Sequence, residues 1–193
     1  MVKEPLCRRF FRQIADGFEY LHSIGIAHRD IKLDNILIEE KTRMIKIIDF
    51  GFAAFTIDAQ GRNQRHKIFC GTPSYMAPEL VRKHEYDGKL VDMWALGVLL
   101  FAMLTGTFPF RGQSESELYN RIQRGSYRIP SEVSADARKL IQRLLEVDYR
   151  KRMRSSELIE EEWIQCQDLP LSVFEQAGGI FRASTRKCDS DLS

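Results

Sequence analysis

The chain has 193 residues, 44% of them hydrophobic and 29% charged, the make-up of one soluble globular domain with its own core rather than of a disordered or fibrous protein. With 29 basic against 27 acidic residues the formal charge is +2, so neither nucleic acid nor an anionic membrane is an expected partner. Cys7, Cys70, Cys166 and Cys188 stand far apart with no Cys-x-x-Cys pair, and the first ten residues carry no signal-peptide-like stretch; zinc and disulfide frameworks are not indicated, and a reducing, intracellular, cytoplasmic setting is expected.

Pro5 suits the opening turn of a first helix, where its missing N–H is not needed, and Leu6, Phe10, Ile14, Phe18 and Leu21 then recur at helical spacing until Gly25 ends it. Residues 28–35, HRDIKLDN, crowd polar side chains between the apolar runs YLHSIGIA and ILI, so the loop is pinned at both ends and its polar groups are held in place. ILI and MIKII, separated by EEKTR, predict a β-hairpin over 36–49. From Phe52 to Met76 the chain has little periodicity and is expected to be one long loop, uncommon in compact domains and often functional.

MWALGVLLFAML, residues 93–104, is apolar all round yet short of the ~20 residues that cross a bilayer. It predicts a buried central helix over 91–105 with Asp92 capping its first turn. Further helices are expected over 115–124, 134–145 and 155–164, and residues 166–193 are expected to form a flexible tail.

The hairpin gives the polar residues a common place. Asn35 stands just before its first strand and Asp49 ends its second, so the turn between the strands returns Asp49 close to Asn35. With Asp30 on the preceding loop, this makes a cluster of hard oxygens suited to Mg2+, although paired Asp and Asn side chains also cap ordinary turns.

HRDIKLDN, then DFG at 49–51, then APE at 77–79 resemble the catalytic loop, metal loop and activation-segment end of eukaryotic protein kinases. The resemblance implies a mainly α fold with a small β-hairpin: a protein-kinase-like C-terminal (large) lobe over residues 4–165. By the same resemblance Asp30 is the base that takes the acceptor hydroxyl proton, Lys32 neutralises charge on the transferred phosphoryl group, and Thr72 shapes the acceptor groove beside them. Asn35 and Asp49 would hold Mg2+. Lys32, Asp34, Asn35, Leu37 and Asp49 would line the ATP site, with Leu37 as the floor of the adenine pocket. Asp34 also stands where basophilic kinases carry an acid that meets a substrate Arg. His28 and Phe50 resemble members of an internal apolar stack, Asp92 its anchor to the central helix, and Glu79 one half of an ion pair with Arg152, in a segment where Tyr149 follows Asp148 in place of the usual Pro.

Lys32 and CGTPSYMAPE resemble the serine/threonine kinases, and FRQIADGFEYLHSIGIAHRD with DMWALGVLLFAMLTGTFPF resembles their calcium/calmodulin-dependent and AMP-activated group. The implied substrates are proteins with Ser or Thr acceptors. The twelve glycines never fall at GxGxxG spacing, so the N-terminal lobe is expected to be absent from this chain. A complementary N-terminal lobe or a regulatory subunit becomes an expected partner, and the chain alone is expected to be weakly active. The alternative is a non-catalytic, kinase-derived binding module. Ile68 stands where many relatives carry a phosphorylatable Thr whose phosphate would meet Arg29, so control by that phosphate is not expected here.

Overall fold

A computed structural model describes residues 2–58 and 60–166. In chain order the elements are α1 (Glu4–Ser23), β1 (Ile26–Ala27), β2 (Ile36–Ile38), β3 (Ile45–Ile47), β4 (Ala54–Phe55), α2 (Pro78–Val81), α3 (Gly88–Thr105), α4 (Glu115–Arg124), α5 (Ala135–Leu144), α6 (Ser155–Leu158) and α7 (Glu162–Gln165), with single 3-10 turns at Leu33–Asn35 and Pro73–Tyr75. The helix-rich architecture and the 36–49 hairpin agree with the expectations. The tail expected over 166–193 lies, apart from Cys166, outside the described residues.

The 18-residue helix α3 organises the core. It is long and apolar enough to cross a membrane by length and composition, but 89% of it is buried inside the protein. Every residue from Leu90 to Leu104 is buried, and Trp94 stacks face to face on Phe110 at 5.5 Å. At Gly97 the neighbouring helix comes so close that a Cβ would stand 2.8 Å from Leu144 Cβ, so the missing side chain is what lets α5 approach.

One capping expectation is overturned. The helix begins at Gly88, and Asp87 caps it by accepting from Lys89 N at 3.0 Å. Asp92 lies a full turn inside, completely buried, and its carboxylate accepts from main-chain N–H groups of another segment, at His28 and Arg29. The physical reason is that residues 88–91 continue the helical pattern backwards past the apolar run to Asp87, a better-placed acceptor for the first free N–H groups.

Helix α1 buries Cys7, Phe10, Phe11, Ile14, Ala15, Phe18 and His22, while Leu6 and Leu21 sit half-buried at the margins of the expected stripe. Gly25, at φ 77°, turns the chain out of it. The β2–β3 hairpin, paired Ile36 to Ile47 and Ile38 to Ile45, rests on this helix. Gln13 accepts from Ile45 N at 3.0 Å and donates to Arg43 O at 3.2 Å, and a Cβ on Gly17 would meet Ile47 Cδ1 at 2.9 Å.

Two further expectations need correction. The 52–76 segment is not structureless: β4 pairs with β1 as a second two-stranded sheet, and bridges join Ile57 to Asn63 and His66 to Tyr86. The partners of β4 and His66 lie 20 to 30 residues away, outside the segment, which periodicity within it cannot reveal. The helix expected over 155–164 is two short helices, α6 and α7, with Glu161 extended between them at ψ 135°. The break turns Trp163 onto α1, where it meets Phe11 edge-on at 6.1 Å and donates to Glu4 Oε1 at 2.8 Å. Arg12 then donates to Ile164 O and Cys166 O.

Candidate active site

The loop from His28 to Asn35 leaves β1 and enters β2, and its shape is imposed from below. Arg29 has φ 67°, a left-handed conformation that costs a residue with a Cβ about 1 to 3 kcal/mol. Asp92 of α3 holds it there: Oδ1 accepts from Arg29 N at 2.7 Å, Oδ2 accepts from His28 N at 2.8 Å, and His22 Nε2 donates to the same oxygen at 3.0 Å. His28 is fully buried, bonded through Nε2 to Ile48 O at 3.1 Å, and packed 6.1 Å from Phe18 and 4.9 Å from Phe50. His28 and Asp92 take the expected places and Phe50 touches His28, but Phe50 is exposed rather than internal; His22 is a member that the sequence did not reveal.

Asp30 is buried, and both of its carboxylate oxygens are engaged. Lys32 Nζ donates to Oδ2 at 2.9 Å and Thr72 Oγ1 donates to Oδ1 at 3.0 Å, while Lys32 also reaches Thr72 Oγ1 at 3.3 Å. Three side chains from two distant segments thus close a triangle. The hydrogen bond to Asp30 holds the Lys32 ammonium above its ordinary pKa against partial burial, and the nearby charges of Asp30, Asp34 and Asp49 add to it. A carboxylate so engaged is a poor metal ligand, and Asp30 leaves the oxygen cluster that the sequence had grouped it into.

Asn35 is buried with its Nδ2 donating to Asp30 O at 2.8 Å, which leaves the amide oxygen as an available acceptor. The hairpin does return Asp49 to this end: Ile48 N donates to Asn35 O at 3.0 Å, one residue before Asp49. Asp49 is exposed, at φ 63°, with Oδ1 accepting from Gly51 N at 3.2 Å. Among the described residues no group of three or more His, Cys, Asp or Glu could hold a metal ion. One amide oxygen and one exposed carboxylate fit Mg2+, a hard cation usually bound through few protein oxygens plus substrate phosphates.

Asp34 and Leu37 are exposed on the same loop and hairpin, Leu37 at 46%. Phe50, Phe52 and Phe55 are also exposed apolar side chains. Behind Thr72, Tyr75 accepts from Leu33 N at 3.2 Å, a second tie between the 28–35 loop and the 70–79 segment that the sequence did not reveal. Glu79 and Arg152 form the expected pair, buried and bidentate at 2.7 and 3.0 Å, with Arg152 also over the Trp94 ring at 5.0 Å. A cleft of about 640 Å3 lined by Tyr127, Arg128, Ser131, Arg138 and Gln142 shares no residue with these loops.

A family model described as the protein kinase domain matches residues 1–164. The chain is 40% identical over 184 residues to the probable serine/threonine-protein kinase HSL1 of Saccharomyces cerevisiae, covering 95% of this chain and 12% of the yeast protein. It is 37% identical over 190 residues to CBL-interacting serine/threonine-protein kinase 14 of Arabidopsis thaliana, covering 98% of this chain and 42% of that one. With CBL-interacting protein kinase 16 of Oryza sativa subsp. japonica it shares 40% identity over 169 residues, 88% of this chain and 37% of the rice protein. The chain spans less than half the length of each of these relatives. It belongs to the protein kinase domain family, and the yeast and Arabidopsis relatives are named as serine/threonine kinases.

Proposed function

We propose that residues 4–165 are the C-terminal lobe of a serine/threonine protein kinase that transfers the ATP γ-phosphoryl group to Ser or Thr of protein substrates. The observation that carries this reading is the Asp30–Lys32–Thr72 triangle, 2.9 to 3.3 Å on its sides, beside Asn35 and Asp49. ATP would supply the phosphoryl group and Mg2+ would neutralise the charge of the ATP phosphates. Asn35 and Asp49 are the residues that would hold the ion. Asp30 orients the acceptor hydroxyl and takes its proton as the new phosphorus–oxygen bond forms and the bond to ADP breaks. Lys32 compensates charge on the migrating group, and Thr72 keeps Asp30 in line. Leu37 supports the adenine ring, and Asp34 lies at the loop edge where a basic substrate side chain could meet it. Free Cys7, Cys70 and Cys166 fit a reducing intracellular, cytoplasmic setting.

The 193 residues contain no GxGxxG, so the phosphates need cover from elsewhere. The test is phosphotransfer to a Ser/Thr peptide by the chain alone and by the chain combined with the small lobe of a related kinase. The expected result is little transfer alone, a clear gain on combination, and loss of that gain in Asp30→Asn, with misplacement of the reacting groups alone costing ~10²-fold. Equal transfer by Asp30→Asn refutes the assignment. A second reading, a kinase-derived binding module, draws on the exposed Leu37, Phe50, Phe52 and Phe55. It is favoured if the combined lobes bind stably yet transfer nothing.

A further inference from the structure

We infer that Tyr86 is a positioning residue for phosphoryl transfer: its hydroxyl ties Arg29, on the loop that carries Asp30, to the main chain of the 52–76 segment at Ile68. This rests on the kinase reading above. Tyr86 is 1% exposed and donates to Ile68 O at 2.6 Å, while Arg29 Nη1 donates to the phenol oxygen at 3.1 Å. Cys70 Sγ stands 4.0 Å from the same oxygen. The main chain of Tyr86 is fixed too, through an antiparallel bridge in which His66 N donates to Tyr86 O at 2.8 Å and Tyr86 N to His66 O at 3.1 Å. Its ring lies 5.5 Å from that of His66 and 6.3 Å from that of Phe69.

Arg29 extends the clasp to the other end of the segment, because its Nε donates to Phe52 O at 2.7 Å. One guanidinium therefore gathers residue 52 directly and residue 68 through a phenol, and Asp92 in turn fixes the Arg29 main chain. Four residues past Ile68, Thr72 reaches Asp30. The segment that places Thr72 on Asp30 is thus anchored just upstream by Tyr86. Ile68 itself has a hydrocarbon side chain, 69% exposed, with no hydroxyl to carry a phosphate toward Arg29. A neutral phenol occupies that guanidinium instead. Burial and then the Cys70 thiol push the Tyr86 pKa up to about 12 against the pull of Arg29, so the O–H donor persists at neutral pH.

The test is Tyr86→Phe, which removes one oxygen and keeps the ring. Amide hydrogen exchange of the full 193-residue chain should quicken about ten-fold over residues 64–72, as loss of a charge-assisted hydrogen bond allows, while amides of α5 stay unchanged. Arg29→Gln opens the same clasp from its other end, and the double variant should exchange no faster than the quicker single one. In the lobe-combined assay Tyr86→Phe should raise the peptide KM several-fold and leave the ATP KM alone. Unchanged exchange over 64–72, or faster exchange with an unchanged peptide KM, overturns the inference. If the wild-type assembly shows no Asp30-dependent transfer, the kinase reading falls and takes the positioning role with it, and the exchange data decide only whether the clasp exists.

Discussion

Removal of the Asp92 carboxylate tests the foundation of the site. It accepts from His28 N at 2.8 Å, Arg29 N at 2.7 Å and His22 Nε2 at 3.0 Å, in a setting with no water access at Asp92 itself. Asp92→Ala orphans three donors, each costing about 1 to 3 kcal/mol when left unpaired in the interior, and it releases the left-handed main chain of Arg29. A loss of about 4 to 6 kcal/mol is expected, a large part of the ~5 to 15 kcal/mol total of a folded domain. Asp92→Asn keeps one acceptor but points an amide N–H at a donor, and should cost about 2 to 4 kcal/mol, or roughly 5 to 15 °C in melting temperature for a chain of this length. Urea unfolding followed by circular dichroism checks both. A loss below 1 kcal/mol for Asp92→Ala with an unchanged slope refutes the account of how the 28–35 loop is shaped.

Arg152→Ala strands the Glu79 carboxylate in the core and should cost about 3 to 5 kcal/mol in the same unfolding assay. Gly97→Ala drives a methyl against Leu144 and Leu145 and should destabilise by about 1 to 3 kcal/mol, with the tryptophan near-ultraviolet signal reporting the shifted helix pair. Burial, and then the Arg29 charge, holds the His66 pKa below its ordinary 6.5, with Asp87 and Asp92 pulling the other way. The unfolded chain therefore binds that proton first, so His66 makes stability fall as pH drops through and below about 6.5, and His66→Gln should flatten the stability profile between pH 7 and 5.5.

The motif loops were legible because their chemistry is local: Asp30, Lys32, Asn35 and Asp49 sit in short stretches whose residue types and order are rarely combined by chance. The hairpin and α3 were legible because periodicity and unbroken apolarity are also local signals. What could not be seen depends on partners distant in sequence. Asp92 looked like a cap because it precedes an apolar run, yet its acceptors are spent on a loop more than sixty residues earlier. Tyr86 lies in no quoted motif, Tyr75 and His22 lie in quoted stretches without a role read for them, and only the fold brings the three to Ile68, Leu33 and Asp92. The break between α6 and α7 follows from what Trp163 and Arg12 must reach, with no Gly or Pro to announce it.

The fastening of α1 also bears on synthesis. Glu4 meets Ser134 across 130 residues and Trp163 across 159, and Arg12 meets Ile164 across 152. In order of synthesis α1 precedes these partners by 130 to 159 residues. At ~5 to 20 residues per second, the buried side of α1, with Phe10, Phe11 and Phe18, waits many seconds for the last of its partners. That interval makes emergence of the 155–166 region, rather than of the catalytic loops, the step that completes the contacts of α1.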